Sequence, residues 1–263
     1  MKKTRKILFC HDLKTNGKNE ASIMLFGDLH YGYPTCILEL VHDTLAYCLK
    51  NRYYIIGMGD YIECATRTSP GDSLFVQQGN AQTQMDFIIE LLKPLAQEGL
   101  ILGLHQGNHE NRAFKTLGID IVRNICRELS HQRKEYRCKN FNYTAYHLVR
   151  VEKQSYELFT THGVSAARTP ETKMKAVRRF GEYVEAEVIA MGHIHDISTT
   201  CFDNYIISKI HKRVMWRKQY YVLTGSYLGH EGSYAEAKGF IPGTLGSPKI
   251  RFLADTHDIF VSF

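Results

Sequence analysis

The stretch MGHIHD, residues 191–196, places two histidines two positions apart immediately after a short apolar run. In an extended chain, side chains at positions i and i+2 point to the same side, so His193 and His195 can present two imidazoles to one point. The stretch LFGDLHYG, residues 25–32, repeats the arrangement, because Asp28 and His30 also follow an apolar run. Two such pairs, far apart in the chain, predict ligands that come together in the fold.

The segments around the first pair alternate between two kinds of pattern. Short apolar runs predict strands at residues 21–27, 53–57 and 100–104, and helical periodicity predicts helices at residues 35–50 and 81–98. The first half of the chain is therefore predicted to run β-α-β-α-β.

The second half is richer in strands. Residues 143–151 and 155–161 are predicted to form a hairpin, and residues 170–183 a helix with Thr169 as its N-cap. Further strand material is predicted at residues 188–191, 198–208, 214–224 and 249–263. These are too many strands for one open sheet, and each sheet must bury a face. We therefore expect an α/β fold with a two-sheet core flanked by helices.

Polar tips with glycine beside them follow the predicted strands. They suit divalent first-row metal ions, because imidazole and carboxylate groups supply the ligands. Glycine lets the backbone turn sharply, and open α/β sheets place their sites at the carboxyl ends of strands. The tips are GDLH (27–30), GDYIE (59–63), GNHENR (107–112), THG (161–163) and GHIH (192–195).

These five blocks, D-x-H, G-D-x-x-E, G-N-H-E, T-H-G and G-H-x-H, resemble in their order the signature of the calcineurin-like metallophosphoesterases. The resemblance implies a four-layer αββα sandwich, formed here as a single domain over residues 1–263. It also implies two divalent metal ions, Mn²⁺ in the first place, with Fe, Zn, Ni or Co as alternatives. One ion would be bound by Asp28, His30 and His195, the other by Asn108, His162 and His193, and Asp60 would bridge them.

The implied reaction is the hydrolysis of a phosphate ester by a hydroxide that bridges the two ions. His109, next to the ligand position Asn108, is the candidate general acid for the leaving oxygen, and Glu110 could orient it. Arg112 could bind a phosphate oxygen through its forked donors. Glu63 is left open between a carboxylate at the start of a helix and a residue of the site.

The net charge and the cysteine content of the chain indicate which binding partners and which cell compartment to expect. The 263-residue chain carries a formal net charge of +6, which favours an anionic partner such as phosphate, nucleic acid or an acidic surface. Seven cysteines without a C-x-x-C motif are expected to be reduced thiols of a cytoplasmic protein. No leader sequence and no apolar stretch of the roughly 20 residues that a membrane span needs can be recognised, so no membrane partner is expected.

Three functions remain in competition. A phosphodiesterase acting on a nucleotide or on single-stranded nucleic acid is preferred, because positive charge suits a polyanion. A phosphomonoesterase acting on a phosphoprotein or a small phosphate ester is the alternative. A scaffold without activity is disfavoured, because all seven ligand positions are intact.

The role of each of three further segments has two interpretations that the sequence does not decide between. Residues 66–84 could form a lid, with Arg67 as its substrate contact, or a solvated loop. Residues 226–248 could fold over the metal site or run along the surface. The basic run at residues 209–218, with Trp216 inside it, could follow a nucleic-acid backbone or form a hairpin with solvated charges.

Overall fold

Two β-sheets pack face to face at the centre of the computed structural model, which describes residues 6–67, 69, 73–209 and 212–263. In this part of the chain, sheet I has the strand order β12-β11-β2-β3-β4-β5. Strands β2, β3, β4 and β5 are mutually parallel, and β11 runs antiparallel to both of its neighbours. The strands are β2 (Glu20–Phe26), β3 (Tyr54–Gly57), β4 (Ile101–His105), β5 (Lys139–Asn142), β11 (Lys249–Leu253) and β12 (Ile259–Ser262).

Sheet II has the strand order β1-β6-β7-β8-β10-β9 within the same described residues. The β6/β7 and β9/β10 pairs are antiparallel, and the other neighbours are parallel. The strands are β1 (Leu8–Leu13), β6 (Thr144–Val151), β7 (Gln154–Thr161), β8 (Val188–Met191), β9 (Ser198–Ser208) and β10 (Arg213–Leu223).

Helices cover the outer face of each sheet. Helices α1 (Leu38–Asn51), α3 (Ala81–Gln97) and α5 (Ile121–Ser130) pack on sheet I. Helix α6 (Pro170–Arg178), continued by a 3₁₀ turn over Arg179–Glu182, packs on sheet II. The layers are therefore helices, sheet, sheet and helix, and the predicted fold class is confirmed. The remaining helices are the short α2 (Ser73–Val76) and α7 (Tyr234–Ala237), together with α4 (Asn108–Leu117).

Strand β2 illustrates why the sheets stack. All seven of its residues are buried, because Ile23 and Leu25 face sheet II while Met24 and Phe26 face the helices. A strand that is apolar on both sides must lie in the middle of such a stack. Nowhere in the described part of the chain is a helix both long and apolar enough to cross a bilayer.

The predicted elements are found with shifted ends, and several elements were missed. The helix predicted over residues 170–183 ends as an α-helix at Arg178, with Thr169 accepting a hydrogen bond from the backbone N–H of Thr172 as its N-cap. Strands β1 and β5 and helices α4 and α5 were not predicted. Helix α4 was missed because it begins inside the GNHENR block, whose polar residues hide any helical pattern.

The topology brings the polar tips together. Strands β2, β3 and β4 are parallel neighbours in sheet I, and β7 and β8 are parallel neighbours in sheet II. The carboxyl ends of parallel neighbours lie at one edge of a sheet. All five tips therefore meet at one edge of the two-sheet core.

Candidate metal centre

Histidine and aspartate side chains from the five strand ends converge to within ligand distance of one another. In the part of the chain that the structure describes, three groups have ligand atoms that all lie within 4.8 Å of one another. Two groups match the sets that the sequence resemblance implies. The groups are Asp28, His30 and His195; Asp60, His162 and His193; and His30, Asp60 and His109.

Asp60 lies between the two predicted sets. Its Oδ2 atom is 3.3 Å from His162 Nε2 and 3.8 Å from His30 Nε2, so one oxygen faces both sides. Its other oxygen accepts a hydrogen bond from the backbone N–H of His109. Burial raises the pKa of this carboxyl, but His162 and His109 lower the pKa by more, and the net value is well below the usual one.

The other predicted ligands lie on either side of Asp60, in the two predicted sets. On one side, Asp28 Oδ1 lies 3.2 Å from His195 Nε2, and His195 Nε2 lies 3.1 Å from His30 Nε2. On the other side, Asn108 Oδ1 lies 3.1 Å from His162 Nε2. The structure thus brings all seven predicted ligand residues to one place.

Partners behind two of the histidines fix which ring nitrogen faces the centre. His162 Nδ1 is 2.8 Å from the carbonyl oxygen of Met58, which can only accept, so Nδ1 carries a proton and, in the neutral ring, Nε2 offers a lone pair. His30 Nδ1 lies 3.3 Å from a carboxylate oxygen of Glu63, which leaves its Nε2 facing Asp60 in the same way. A hydrogen bond on the far nitrogen is how proteins orient metal-binding imidazoles.

The donor set fits a cation for a second reason. His193 Nδ1 is buried and has no hydrogen-bond partner among the described residues. Buried polar atoms in proteins are nearly always paired, so this nitrogen, close to Asp28 and Asp60, fits a cation as its partner. The facing Nε2 atoms of His30 and His195 also suit a shared cation, because at most one of them can donate to the other.

The backbone at these tips is held in an unfavourable conformation. Asp28, His30, Asp60, His193 and His195 all have φ between 51° and 68°, in the left-handed region. For residues other than glycine this region costs about 1–2 kcal/mol each. Such strain clusters at functional sites, where the surrounding structure enforces it. The tips are therefore built to aim side chains rather than to minimise local energy.

Glu110 ties two of the tips together. Its buried carboxylate accepts hydrogen bonds from the backbone N–H groups of Asp60, Tyr61, Ile62 and Gly107 at 2.7–3.3 Å. Gly107 must be glycine, because a Cβ there would lie 2.1 Å from Asp60 Oδ1. Glu110 thus contacts the backbone of the GDYIE tip, whereas the sequence suggested only that it could orient His109.

His109, Glu63 and Arg112 form a cluster at the rim of the centre. His109 Nδ1 is 2.8 Å from the carbonyl oxygen of Glu63, and Arg112 Nη2 is 3.0 Å from His109 Nε2. Burial lowers the pKa of His109, but Asp60 and Glu63 raise the pKa by more, and the net value is above the usual one. Glu63 lies in no helix, so it belongs to this cluster rather than to the start of a helix.

A cavity of about 470 Å³ opens over the centre and is lined by His30, His109, Arg112 and His195. Residues 226–248 form part of its wall, through Leu228, His230, Phe240 and Ile241, which settles the choice left by the sequence in favour of a cover over the site. An isolated parallel β-bridge between Ser226 and Leu245 holds the two ends of this segment together.

The sequence also left the roles of residues 66–84 and 209–218 undecided. From the 66–84 segment, whose residues 68 and 70–72 lie outside the described part, Ser73 lines the cavity, whereas the exposed Arg67 does not. The basic run at 209–218 lies on the β9/β10 hairpin, with residues 210 and 211 outside the described part. There Trp216 contacts Tyr205 at a centroid distance of 4.1 Å.

Comparisons with known proteins found similar solved structures only. No family model matches the sequence, and no curated protein matches it. A metallophosphoesterase from Sphaerobacter thermophilus aligns with a TM-score of 0.41 and 10% identity, over 92% of this chain and 86% of that one. Wild-type Vps29 complexed with Zn²⁺ from Entamoeba histolytica aligns with a TM-score of 0.37 and 11% identity, over 92% of this chain and 97% of that one. Similarity of this extent carries no functional conclusion, and the proposal below rests on this chain's own residues.

Proposed function

We propose that this chain is a metal-dependent phosphoric ester hydrolase of the calcineurin-like type, with two divalent ions and a preference for phosphodiesters. One observation carries the proposal. Seven ligand-type side chains from five strand ends converge, with the Oδ2 atom of Asp60 between His30 and His162. Two-metal sites for phosphoryl chemistry have this form, with ions about 3.5–4 Å apart, a spacing that one shared carboxylate can enforce.

The residues divide into two sets around Asp60. Asp28, His30 and His195 would hold one ion, and Asn108, His162 and His193 the other. Oxygen and imidazole donors without thiolate suit Mn²⁺, and they also accept Fe, Zn, Ni or Co. Two ions held by these residues would supply positive charge for the phosphate oxygens and would lower the pKa of a water molecule towards neutral pH.

His109 serves as the general acid in this proposal. The oxygen of water forms a bond to phosphorus, the bond from phosphorus to the leaving oxygen breaks, and His109 gives its proton to that oxygen. The proton lost by water passes to solvent, from which His109 is protonated again. The raised pKa of His109 keeps a larger share of the ring protonated near neutral pH than a free imidazole would have.

Arg112 and Glu63 position the acid. The Arg112 guanidinium lies against the His109 ring and within 3.4 Å of a Glu63 carboxylate oxygen. Arg112 also lines the cavity, so its remaining N–H groups can bind a non-bridging phosphate oxygen.

The preference for diesters rests on charge. A net charge of +6 favours a polymer or nucleotide that carries several anionic phosphates over a small ester with a single phosphate. A phosphomonoesterase would use the same ligands and is the second candidate. We also propose a single-domain protein of the cytoplasm, because seven cysteines without a C-x-x-C motif suit a reducing compartment.

Hydrolysis of bis-p-nitrophenyl phosphate and p-nitrophenyl phosphate tests the proposal. Chelated protein should be inactive, added Mn²⁺ should restore turnover, and the diester should be the better substrate. Asp60→Asn should lose at least about a hundredfold in rate, whereas Asp43→Asn, an exposed aspartate of α1, should match the wild type. Turnover that survives chelation, or an active Asp60→Asn variant, would refute the mechanism. A better rate on the monoester would favour the second candidate.

A further inference from the structure

A second cavity, of about 680 Å³, lies on the other side of the metal centre. Asn108 and His162 line it, whereas His30, His109, His193 and His195 line the first cavity. We call them the His162 cavity and the His109 cavity. The two share Ser165 and Ala166 in their walls, so the ligand cluster lies between two adjoining openings.

The position of the ligand cluster between two cavities indicates how many organic groups the substrate carries on its phosphate. A phosphomonoester has one organic arm, and a phosphodiester has two. With phosphorus at the ligand cluster, a diester can extend one arm into each cavity. A monoester would leave one cavity unused.

Aromatic side chains give the His162 cavity its chemical character. Tyr143, Phe180 and Tyr183 line it, and the Phe180 and Tyr183 rings are 5.9 Å apart. Tyr143 and Tyr183 are 55% and 69% exposed, so their rings are open to a ligand. The Tyr143 hydroxyl donates to Asn111 Oδ1 at 3.2 Å, which holds that ring beside the helix that carries Asn108.

Apart from the candidate ligand His162, the described wall of this cavity carries one cation, Arg179, and one anion, Glu182, so charge from the rest of the wall adds little. Stacking is therefore its main means of recognition, and a flat base is the group that stacks best. Base stacking on aromatic side chains contributes about 1–3 kcal/mol per base and tolerates any sequence.

The His109 cavity offers a matching platform. Phe240 lies in its wall, with the guanidinium of Arg168 5.0 Å from the ring centroid. A base can stack in such surroundings, and the Arg168 charge also favours a polyanion. Both cavities thus combine a flat aromatic surface with access to the centre.

We propose that the substrate is a single-stranded oligonucleotide that lies across the metal centre, with one nucleoside in each cavity and the scissile phosphate between them. This inference rests on the proposed function and specifies its substrate. Tyr143 and Tyr183 are assigned as contacts of the base in the His162 cavity.

Two tyrosine variants test the assignment by turnover. Tyr143→Ala and Tyr183→Ala should each lower kcat/KM for an oligothymidylate by roughly 5-fold to 150-fold, the equivalent of one stacked base. Methyl p-nitrophenyl phosphate, which has only one ring, should lose less than about threefold. Tyr47→Ala, which changes an exposed tyrosine of helix α1, is the matched control and should leave both rates unchanged.

Binding gives a readout that does not depend on turnover. Fluorescence anisotropy with a labelled oligothymidylate of hydrolysis-resistant phosphorothioate linkages should show a Kd raised at least fivefold in Tyr183→Ala and unchanged in Tyr47→Ala. Equal Kd values in the wild type and Tyr183→Ala would overturn the assignment even when the enzyme hydrolyses small diesters. Absence of turnover on every ester, with manganese bound, would instead remove the proposed function on which the assignment rests.

Discussion

Replacing Glu110 by glutamine tests how the site is held together. Glu110 Oε1 accepts from the N–H groups of Tyr61 and Ile62, and Oε2 accepts from those of Asp60 and Gly107. Glutamine keeps one oxygen and replaces the other by an NH₂ group, which can only donate. Two buried backbone N–H groups therefore lose their acceptor in Glu110→Gln, whichever way the amide is turned.

The size of the effect follows from that count. A buried donor left without a partner costs about 1–3 kcal/mol, so two cost about 2–6 kcal/mol. For a chain of this length, 1 kcal/mol shifts the melting temperature by about 2–4 °C. We expect a melting temperature roughly 4–24 °C lower in Glu110→Gln. We also expect weaker manganese binding, because the displaced loop carries Asp60.

Thermal unfolding followed by circular dichroism measures the first effect. Glu135→Gln, which changes an exposed glutamate in the same way, is the control and should stay within about 1 °C of the wild type. A Glu110→Gln shift below about 2 °C would show that the four N–H groups do not depend on this carboxylate. Glu110 would then not be the residue that joins the GDYIE and GNHENR tips.

Two further predictions concern histidines. His109→Ala should keep its bound manganese and lose about 10²–10⁴ in kcat on an oligothymidylate but far less on p-nitrophenyl esters, whose leaving group needs no proton. Loss of manganese in this variant would make His109 a ligand instead. Burial, with a smaller contribution from Lys139, lowers the pKa of His11 to about 4, and His11 Nε2 lies 3.0 Å from His147 Nδ1. Between pH 6.5 and 4 the unfolded chain takes up a proton at His11 that the folded chain does not, so His11 alone should lower the free energy of unfolding by about 1.4 kcal/mol per pH unit as the pH decreases. Urea unfolding of metal-free protein at several pH values measures how the free energy of unfolding depends on pH. The slope should be shallower in His11→Phe and unchanged in His42→Phe, which changes an exposed histidine. Equal slopes in the wild type and both variants would contradict the role assigned to His11.

Local patterns sufficed for the strands that precede the five tips. Strand β2 could be predicted because its apolar run is short, continuous and followed by the GDLH tip. The seven candidate ligand residues could be named because the order of the five blocks resembles the calcineurin-like signature. These signals lie within a few residues of one another, so no knowledge of packing is needed to read them.

Features that depend on packing could not be predicted. The role of Glu110 requires knowing that residues 60–62 and 107 present their N–H groups to one point, which only the pairing of β3 with β4 provides. The His162 cavity joins Asn108, Tyr143 and Tyr183, which belong to three separate segments. Strand β1 was missed because His11 and Asp12 interrupt the apolar run of its sequence LFCHDL, and its pairing with β6 decides its conformation.

The most direct measurement is the amount of manganese that stays bound after excess metal is removed, determined by elemental mass spectrometry. Two ions per chain in the wild type, with fewer in Asp60→Ala, is the result expected from one site in which Asp60 serves both ions. One ion or none in the wild type, or two ions in Asp60→Ala, would contradict a dinuclear centre built around this carboxylate.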